Sequence, residues 1–289
     1  MKYPGKGANR MQMPEMLDNV SKTIKDDVLA EFVNYFHLDG LQPPPGLLSA
    51  AAQAFSRIPY ENITKIIRRA EAGSDEKARR SPDEVISDHI RWGTGGTCFS
   101  LTSAFCQLAR RMGFEAEYLL ADRSYGRNTH SALFVRIDGE PYLFDPGFLI
   151  TEPVPLALTG PMEIASGGEQ LKLVPDKTGI SLFTERGEKS VYRLTYKTAP
   201  VDTDEFNKAW DASFHWEMMR YPLLVRAGTF GRIYLRDSMF QVGNNGSICR
   251  EKIPEHALAA KITDEFGIHL EIVKRALDLL KKEQNGATM

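Results

Sequence analysis

Apolar residues recur at helical spacing through the first third of the chain. Val28, Leu29, Phe32 and Phe36 share one face, and Gly40 is placed to stop the pattern. LLSAAAQAF (47–55) repeats the spacing behind a rigid PPP at 43–45. The polar string EAGSDEKARR (71–80) predicts a surface connection. SPDE (81–84) then predicts a helix start, with Ser81 as N-cap, Pro82 at the first helical position and Glu84 closing a capping box. Leu101, Ala104, Phe105, Leu108, Ala109 and Met112 form another helical stripe, ended by Gly113. The first hundred residues therefore read as mainly helical, behind a loose polar arm over 1–20.

Beyond Gly113 the period shortens. EAEYLLADRS, THSALFVRI, EPYLFDPGF, LKLVP, GISLF and SVYRLTY are short, β-prone runs separated by turns, which predict a small antiparallel sheet or barrel. A mixed segment follows Pro200. It ends in two amphipathic helices broken at Gly267. No internal repeat or low-complexity tract is present.

Composition narrows the class. The chain has 289 residues, 42% of them hydrophobic and 10% aromatic, enough for a substantial core. A formal net charge of −2 offers no broad basic field, which argues against nucleic acid as a partner. The 3 cysteines form no disulfide framework and suit a reducing compartment. No apolar run approaches a membrane span, and the start lacks the continuous apolar segment of a secretory signal; the expected location is the cytoplasm. No H-E-x-x-H or CxxC spacing exists, so no metal is expected. GTGG (93–96) lacks the G-K-[ST] of a phosphate loop and is only a weak phosphate signal.

The candidate chemistry begins at GGTCF. Three glycines precede Cys98, so a helix starts near the cysteine. A helix N-terminus carries about half a positive charge and free N–H groups. A thiol there ionises more easily, those N–H groups can hold an oxyanion, and the glycines leave room for a substrate carbonyl. A buried structural cysteine is the alternative for any lone residue, and Cys106 and Cys249 are read that way. Cys98 therefore needs a base. His130 opens the strand THSALFVRI, and Asp138-Gly139 is a favoured two-residue hairpin turn. If Ile137 faces Glu140, paired positions sum to 277, and Asp145 faces Ala132. His130 and Asp145 then become diagonal neighbours on one face, about 7–8 Å apart at the backbone. A one-residue slip would separate them. Asp145 could fix the imidazole tautomer while the other nitrogen takes the thiol proton. Among the other histidines, His37 and His89 lie near helix ends, where a charge–dipole role suffices.

These residues resemble the arylamine N-acetyltransferase family, whose Cys-His-Asp core is shared with transglutaminases and papain-like hydrolases. IPYEN (58–62) resembles the family's Ile-Pro-Phe-Glu-Asn segment, GGTCF its nucleophile motif, NTHSALFVRIDGEPYLFDPGF its histidine strand and aspartate stretch, and ITDEFGIHL (262–270) a piece of its C-terminal region. The resemblance implies an α+β fold with a papain/transglutaminase-like core in three parts: a helical domain with the nucleophile helix (1–113), an antiparallel β-barrel (114–200) and an α/β lid (201–289). It implies catalysis by Cys98, His130 and Asp145, with substrate contacts at Phe148, Gly147 and Thr97. The implied reaction is ping-pong transfer of an acyl group, typically acetyl, from acyl-CoA through an acyl-cysteine to an arylamine, hydrazine or related amine. Acyl-CoA would be a cosubstrate, with no tightly bound cofactor, no membrane partner and a monomer as the expected state. A cysteine amidase or transglutaminase-like hydrolase with the same three residues, or a non-catalytic ligand-binding descendant, are the alternatives. Five positions depart from the family pattern: Thr94 replaces the usual Arg, Thr97 an aromatic, Ser100 and Thr102 the usual Glu and Asn, and Pro146 the usual Val. The absent Arg and Glu imply loss of an ion pair bracing the nucleophile loop.

Overall fold

The computed structural model describes residues 24–38, 46–228, 231–244 and 247–286. The polar arm, the PPP segment and Gly40 lie outside these residues. Helix α1 (Asp26–Phe36) buries Val28, Phe32 and Phe36 as their spacing predicts. Its stop is made earlier than expected, by His37 in a left-handed conformation (φ 56°), whose N–H donates to the Asn34 carbonyl. Helix α2 (Gly46–Phe55), a two-residue strand β1 (Tyr60–Glu61), helix α3 (Ile63–Glu71) and a single turn α4 (Asp75–Ala78) follow. The segment 71–80 is at the surface through Lys77, as its polarity suggests, and then turns inward: Ala78 and Arg80 are buried, and Arg79 makes a two-pronged ion pair with Asp211. Helix α5 (Pro82–Trp92) begins with the predicted capping box. Ser81 accepts from the Glu84 N–H, and the Glu84 carboxylate accepts from the Ser81 N–H at 2.6 Å.

Helix α6 (Cys98–Arg111) is buried on every side from Cys98 to Ala109, not only along the apolar stripe. It packs between α5 and the paired strands β2 (Glu115–Arg123) and β3 (Gly126–Ile137). These belong to an eight-stranded antiparallel sheet completed by β4 (Glu140–Asp145), β5 (Ile150–Pro155), β6 (Met162–Ser166), β7 (Glu169–Pro175), β8 (Ile180–Arg186) and β9 (Lys189–Tyr196). The strand order is β5-β4-β3-β2-β9-β8-β7-β6. The sheet curls into an incompletely closed barrel. Sequence reasoning missed β5 and β6, the two edges; β5 carries Pro153 and Pro155, which an edge strand tolerates because it has no ladder partner on one side. Strands β2 and β3 are buried on both faces. Tyr118, Leu120, Leu133 and Val135 meet the helices, while Leu119, Ala121, Ala132 and Phe134 fill the barrel.

Helix α7 (Thr203–Ala212) returns to the helical core, stacking Phe206 and Trp210 around Phe99 of α6. Strands β10 (Leu223–Ala227), β11 (Arg232–Arg236), β12 (Met239–Asn244) and β13 (Ser247–Lys252) form a second antiparallel sheet with β1, in the order β1-β10-β11-β12-β13. Helices α8 (Glu255–Phe266) and α9 (Leu270–Gly286) cover it, broken at Gly267 as expected. A third core of Ile63, Ile67, Leu224, Leu235, Ile262 and Val273 joins this sheet to α3. Cys249 is exposed, contrary to expectation, because β13 is the outer strand; Cys106 is buried. The helical first part, barrel and α/β third part form an α+β fold.

Capping by Ser81 predicts that Ser81→Ala lowers unfolding free energy by about 1 kcal/mol, measured by urea denaturation. A change below about 0.3 kcal/mol would show that the box adds nothing to helix entry.

Candidate active site

The β3–β4 hairpin pairs Ile137 with Glu140 and Leu133 with Phe144, the predicted register. Asp145 and His130 therefore project from the same sheet face, and His130 Nε2 lies 2.6 Å from Asp145 Oδ2. Both side chains are fully buried. Asp145 also accepts from the Tyr196 hydroxyl at 2.6 Å and from the Phe148 N–H at 2.9 Å. With Nε2 committed to the carboxylate, Nδ1 is the nitrogen left for the thiol.

Thr97 is the N-cap of α6, so Cys98 is its first residue. The N–H of Leu101 is bonded to the Thr97 carbonyl, and the N–H groups of residues 98–100 precede the helical ladder. Gly147 shows how closely the three side chains converge. A Cβ added there would lie 3.0 Å from His130 Cε1, 3.1 Å from Cys98 Cβ and 3.2 Å from Asp145 Oδ1. A polar staple fixes helix against strand: Thr102 Oγ1 donates to the Ser131 carbonyl, and Ser131 Oγ donates to Thr102 Oγ1, each at 3.2 Å.

The electrostatics follow from this packing. Burial pushes the Cys98 thiol up, but the His130 imidazolium, through charge and hydrogen bond, outweighs it; Arg123 and Lys65 add to the effect, and the thiol falls below its ordinary value. Burial likewise opposes a charged His130, yet Asp145 and the Cys98 thiolate hold its proton on to about 9. For Asp145, burial acts upward and is overcome by His130, Tyr196 and the Phe148 N–H, leaving the carboxyl below its usual range. Cys106 has only Arg110 and the Tyr118 hydroxyl to oppose its burial, which lifts it to about 12.

The loop before Cys98 is braced after all. Its support does not come from an Arg beside the glycines. Arg80 donates to the Gly95 carbonyl, to Thr64 Oγ1 at 3.2 Å and to Asp88 at 2.8 Å. Glu61 accepts from the Gly95 N–H at 3.2 Å, and His89 Nδ1 lies 3.0 Å from the Thr94 carbonyl. His89 is buried and its pKa is lowered by that burial, so it supports this loop instead of serving as a charged helix terminus. The glycines also differ from expectation. A Cβ at Gly95 would overlap the Pro59 carbonyl and one at Gly96 would overlap Ser100. Their missing side chains admit the protein's own chain, where Tyr60 bridges to Gly96, and neither glycine lines the cleft that opens at Gly147.

A cleft of about 1020 Å³ reaches the three converging side chains at Gly147, and none of Cys98, His130 or Asp145 is among its lining residues. Gly147 and Phe148 line it, and Phe148 stands edge-on to His130 with ring centres 5.7 Å apart. Thr97 is buried and does not line the cleft. Arg123, Tyr60, Tyr125 and Tyr234 do, and none was singled out from sequence. Among the described residues, no cluster of three or more His, Cys, Asp or Glu side chains could hold a metal ion.

A family model described as N-acetyltransferase matches residues 46–275. The arylamine N-acetyltransferase of Escherichia coli K12 is 23% identical over 230 residues, covering 75% of this chain and 79% of the relative. Among solved structures, the arylamine N-acetyltransferase of Mycobacterium marinum superposes with a TM-score of 0.74 at 18% identity, covering 88% of this chain and 98% of that one. That of Bacillus cereus, described as having a Cys-His-Glu triad, gives 0.67 at 19% identity over 85% and 100%.

Two measurements test the geometry. Because the thiol is depressed and the imidazolium persists to about 9, the thiolate–imidazolium pair fills the interval between them. Cys98 alkylation by iodoacetamide should have its midpoint below the ordinary thiol value of about 8.5, and His130→Gln should move it upward. An unmoved midpoint would disprove the coupling. Gly147→Ala should slow Cys98 alkylation by about 10-fold or more and cost on the order of 1–3 kcal/mol of stability; wild-type alkylation would show that the three groups tolerate displacement.

Proposed function

Because this chain belongs to the arylamine N-acetyltransferase family, we propose that it transfers an acyl group, acetyl in the simplest case, from acyl-CoA through an acyl-enzyme on Cys98 to an arylamine, hydrazine or related amine. The observation that carries this reading is the convergence of Cys98, His130 and Asp145 around Gly147.

In the first half-reaction the Cys98 sulfur attacks the thioester carbonyl carbon. The carbonyl oxygen takes up negative charge, and the N–H groups at the start of α6 are its nearest fixed donors. The carbon–sulfur bond to CoA breaks, and His130 delivers its proton to the departing thiolate. The product is an acyl-cysteine and neutral imidazole. In the second half-reaction the amine nitrogen attacks the acyl carbon. His130 takes the amine proton, the amide leaves, and the Cys98 thiolate beside a protonated His130 is restored. Asp145 keeps Nε2 protonated throughout, so that Nδ1 performs each transfer. Phe148 at the cleft wall supplies an apolar surface for the acceptor ring.

Incubation with acetyl-CoA should add about 42 Da to the protein, localised to Cys98 and absent in Cys98→Ala. An aromatic amine should then remove it as the amide. Absence of any adduct with acyl-CoA donors, together with turnover of a simple amide substrate, would assign the same three residues to hydrolysis instead.

A further inference from the structure

Arg123 favours the Cys98 thiolate by its charge, but the proposed chemistry gives its guanidinium fork no partner. It sits where the β2–β3 pairing breaks register. Ala121 pairs with His130, but Arg123 pairs with Gly126, so a bulge lies between them. Asp122 is turned to Arg127 and Lys197, whereas Arg123 enters the cleft. Its Nη2 lies 3.2 Å from His130 Nδ1, and its Nη1 donates to the Tyr125 hydroxyl at 2.7 Å. A guanidinium has no acceptor, so it can donate to Nδ1 only while that nitrogen carries no proton, as when His130 is neutral in the acyl-enzyme. Among the described residues, no carboxylate lies within ion-pair distance of Arg123. The other cleft arginines are occupied differently: Arg186 and Arg232 both contact Glu169, and Arg193 donates to Thr184.

The anion beside this partly buried guanidinium is the Cys98 thiolate, whose charge acylation removes, and no carboxylate of the described residues replaces it. The planar fork of arginine fits a carboxylate with two parallel hydrogen bonds. Tyr60, at the same cleft wall, adds a hydroxyl where the family segment it resembles has Phe. We propose that Arg123 is a specificity-determining residue that receives a carboxylate carried by a substrate next to the reacting atoms. The proposal rests on the acyl-transfer reading above. The carboxylate can belong to the acceptor amine or to the acyl group; the chemistry at Arg123 is the same. In either case it draws the guanidinium from His130 Nδ1 and leaves that nitrogen free to take the proton of the attacking amine.

The test uses matched pairs on the full chain. With acetyl-CoA as donor, 4-aminobenzoate is compared with neutral 4-aminobenzamide. With one neutral amine as acceptor, malonyl-CoA is compared with propionyl-CoA. In wild type, one arm should favour the carboxylated partner by about 10- to 100-fold in kcat/KM, and that arm identifies the source of the carboxylate. The preference should collapse in Arg123→Gln and survive in part in Arg123→Lys. No preference in either arm, or a preference unchanged in Arg123→Gln, overturns the proposal. A wild-type measurement guards against misfolded variants and needs no turnover: benzoate should protect Cys98 from iodoacetamide at a concentration about 10-fold lower than benzamide does. Equal protection overturns the proposal even if transfer occurs. Absence of any acyl adduct with selective protection by benzoate would instead reject acyl transfer while retaining the anion site.

Discussion

A carboxylate removed from water stays ionised only where hydrogen bonds replace its hydration, and Asp145 meets that condition through His130, Tyr196 and the backbone of Phe148. The bond to His130 is the one on which the site turns. It fixes the ring, assigns the proton to Nε2, and raises the cation's stability inside the fold. The depressed thiol at Cys98 follows from that raised imidazolium and not from the helix start alone. Removing the carboxylate would leave a buried imidazole unable to hold charge, and the sulfur would revert toward the behaviour of Cys106, a buried thiol without a cation close enough to offset its burial.

Three separately packed cores must agree for these atoms to meet. The sulfur comes from a helix enclosed by α5, α7 and the sheet. The histidine and aspartate come from the barrel hairpin, and the loop carrying the cysteine is bridged to β1, the edge of the second sheet. Glu61 and Arg80 tie that loop from two sides, so its shape does not rely on its own composition. Thr102 and Ser131 make the equivalent connection between helix and strand. These polar ties are short and directional, whereas the surrounding apolar contacts are not. They set the register of cores that packing alone would leave free to slide.

The sequence made local features legible and left long-range ones hidden. The capping box at Ser81, the break at Gly267 and the sum of 277 across the hairpin all follow from neighbours a few residues apart. From that register alone came the juxtaposition of His130 and Asp145. Tyr196 was invisible because its place depends on β9 lying beside β2, a pairing between residues about 75 apart. Arg80 was hidden in a polar string that reads as surface, since nothing local indicates that its guanidinium folds under the Gly95 loop. Cys249 was read as buried because its own strand is β-prone; only the strand order shows that nothing covers it.

The bulge between Ala121 and Arg123 has a consequence for how such a scaffold diversifies. The histidine and aspartate take their register from the β3–β4 hairpin, and His130 pairs with Ala121 ahead of the bulge. Inserting or deleting one residue in the 122–126 turn would bring a different side chain into the cleft while the β3–β4 register stayed in place. The polarity of the cleft and the Cys98–His130–Asp145 geometry thus rest on different parts of the fold.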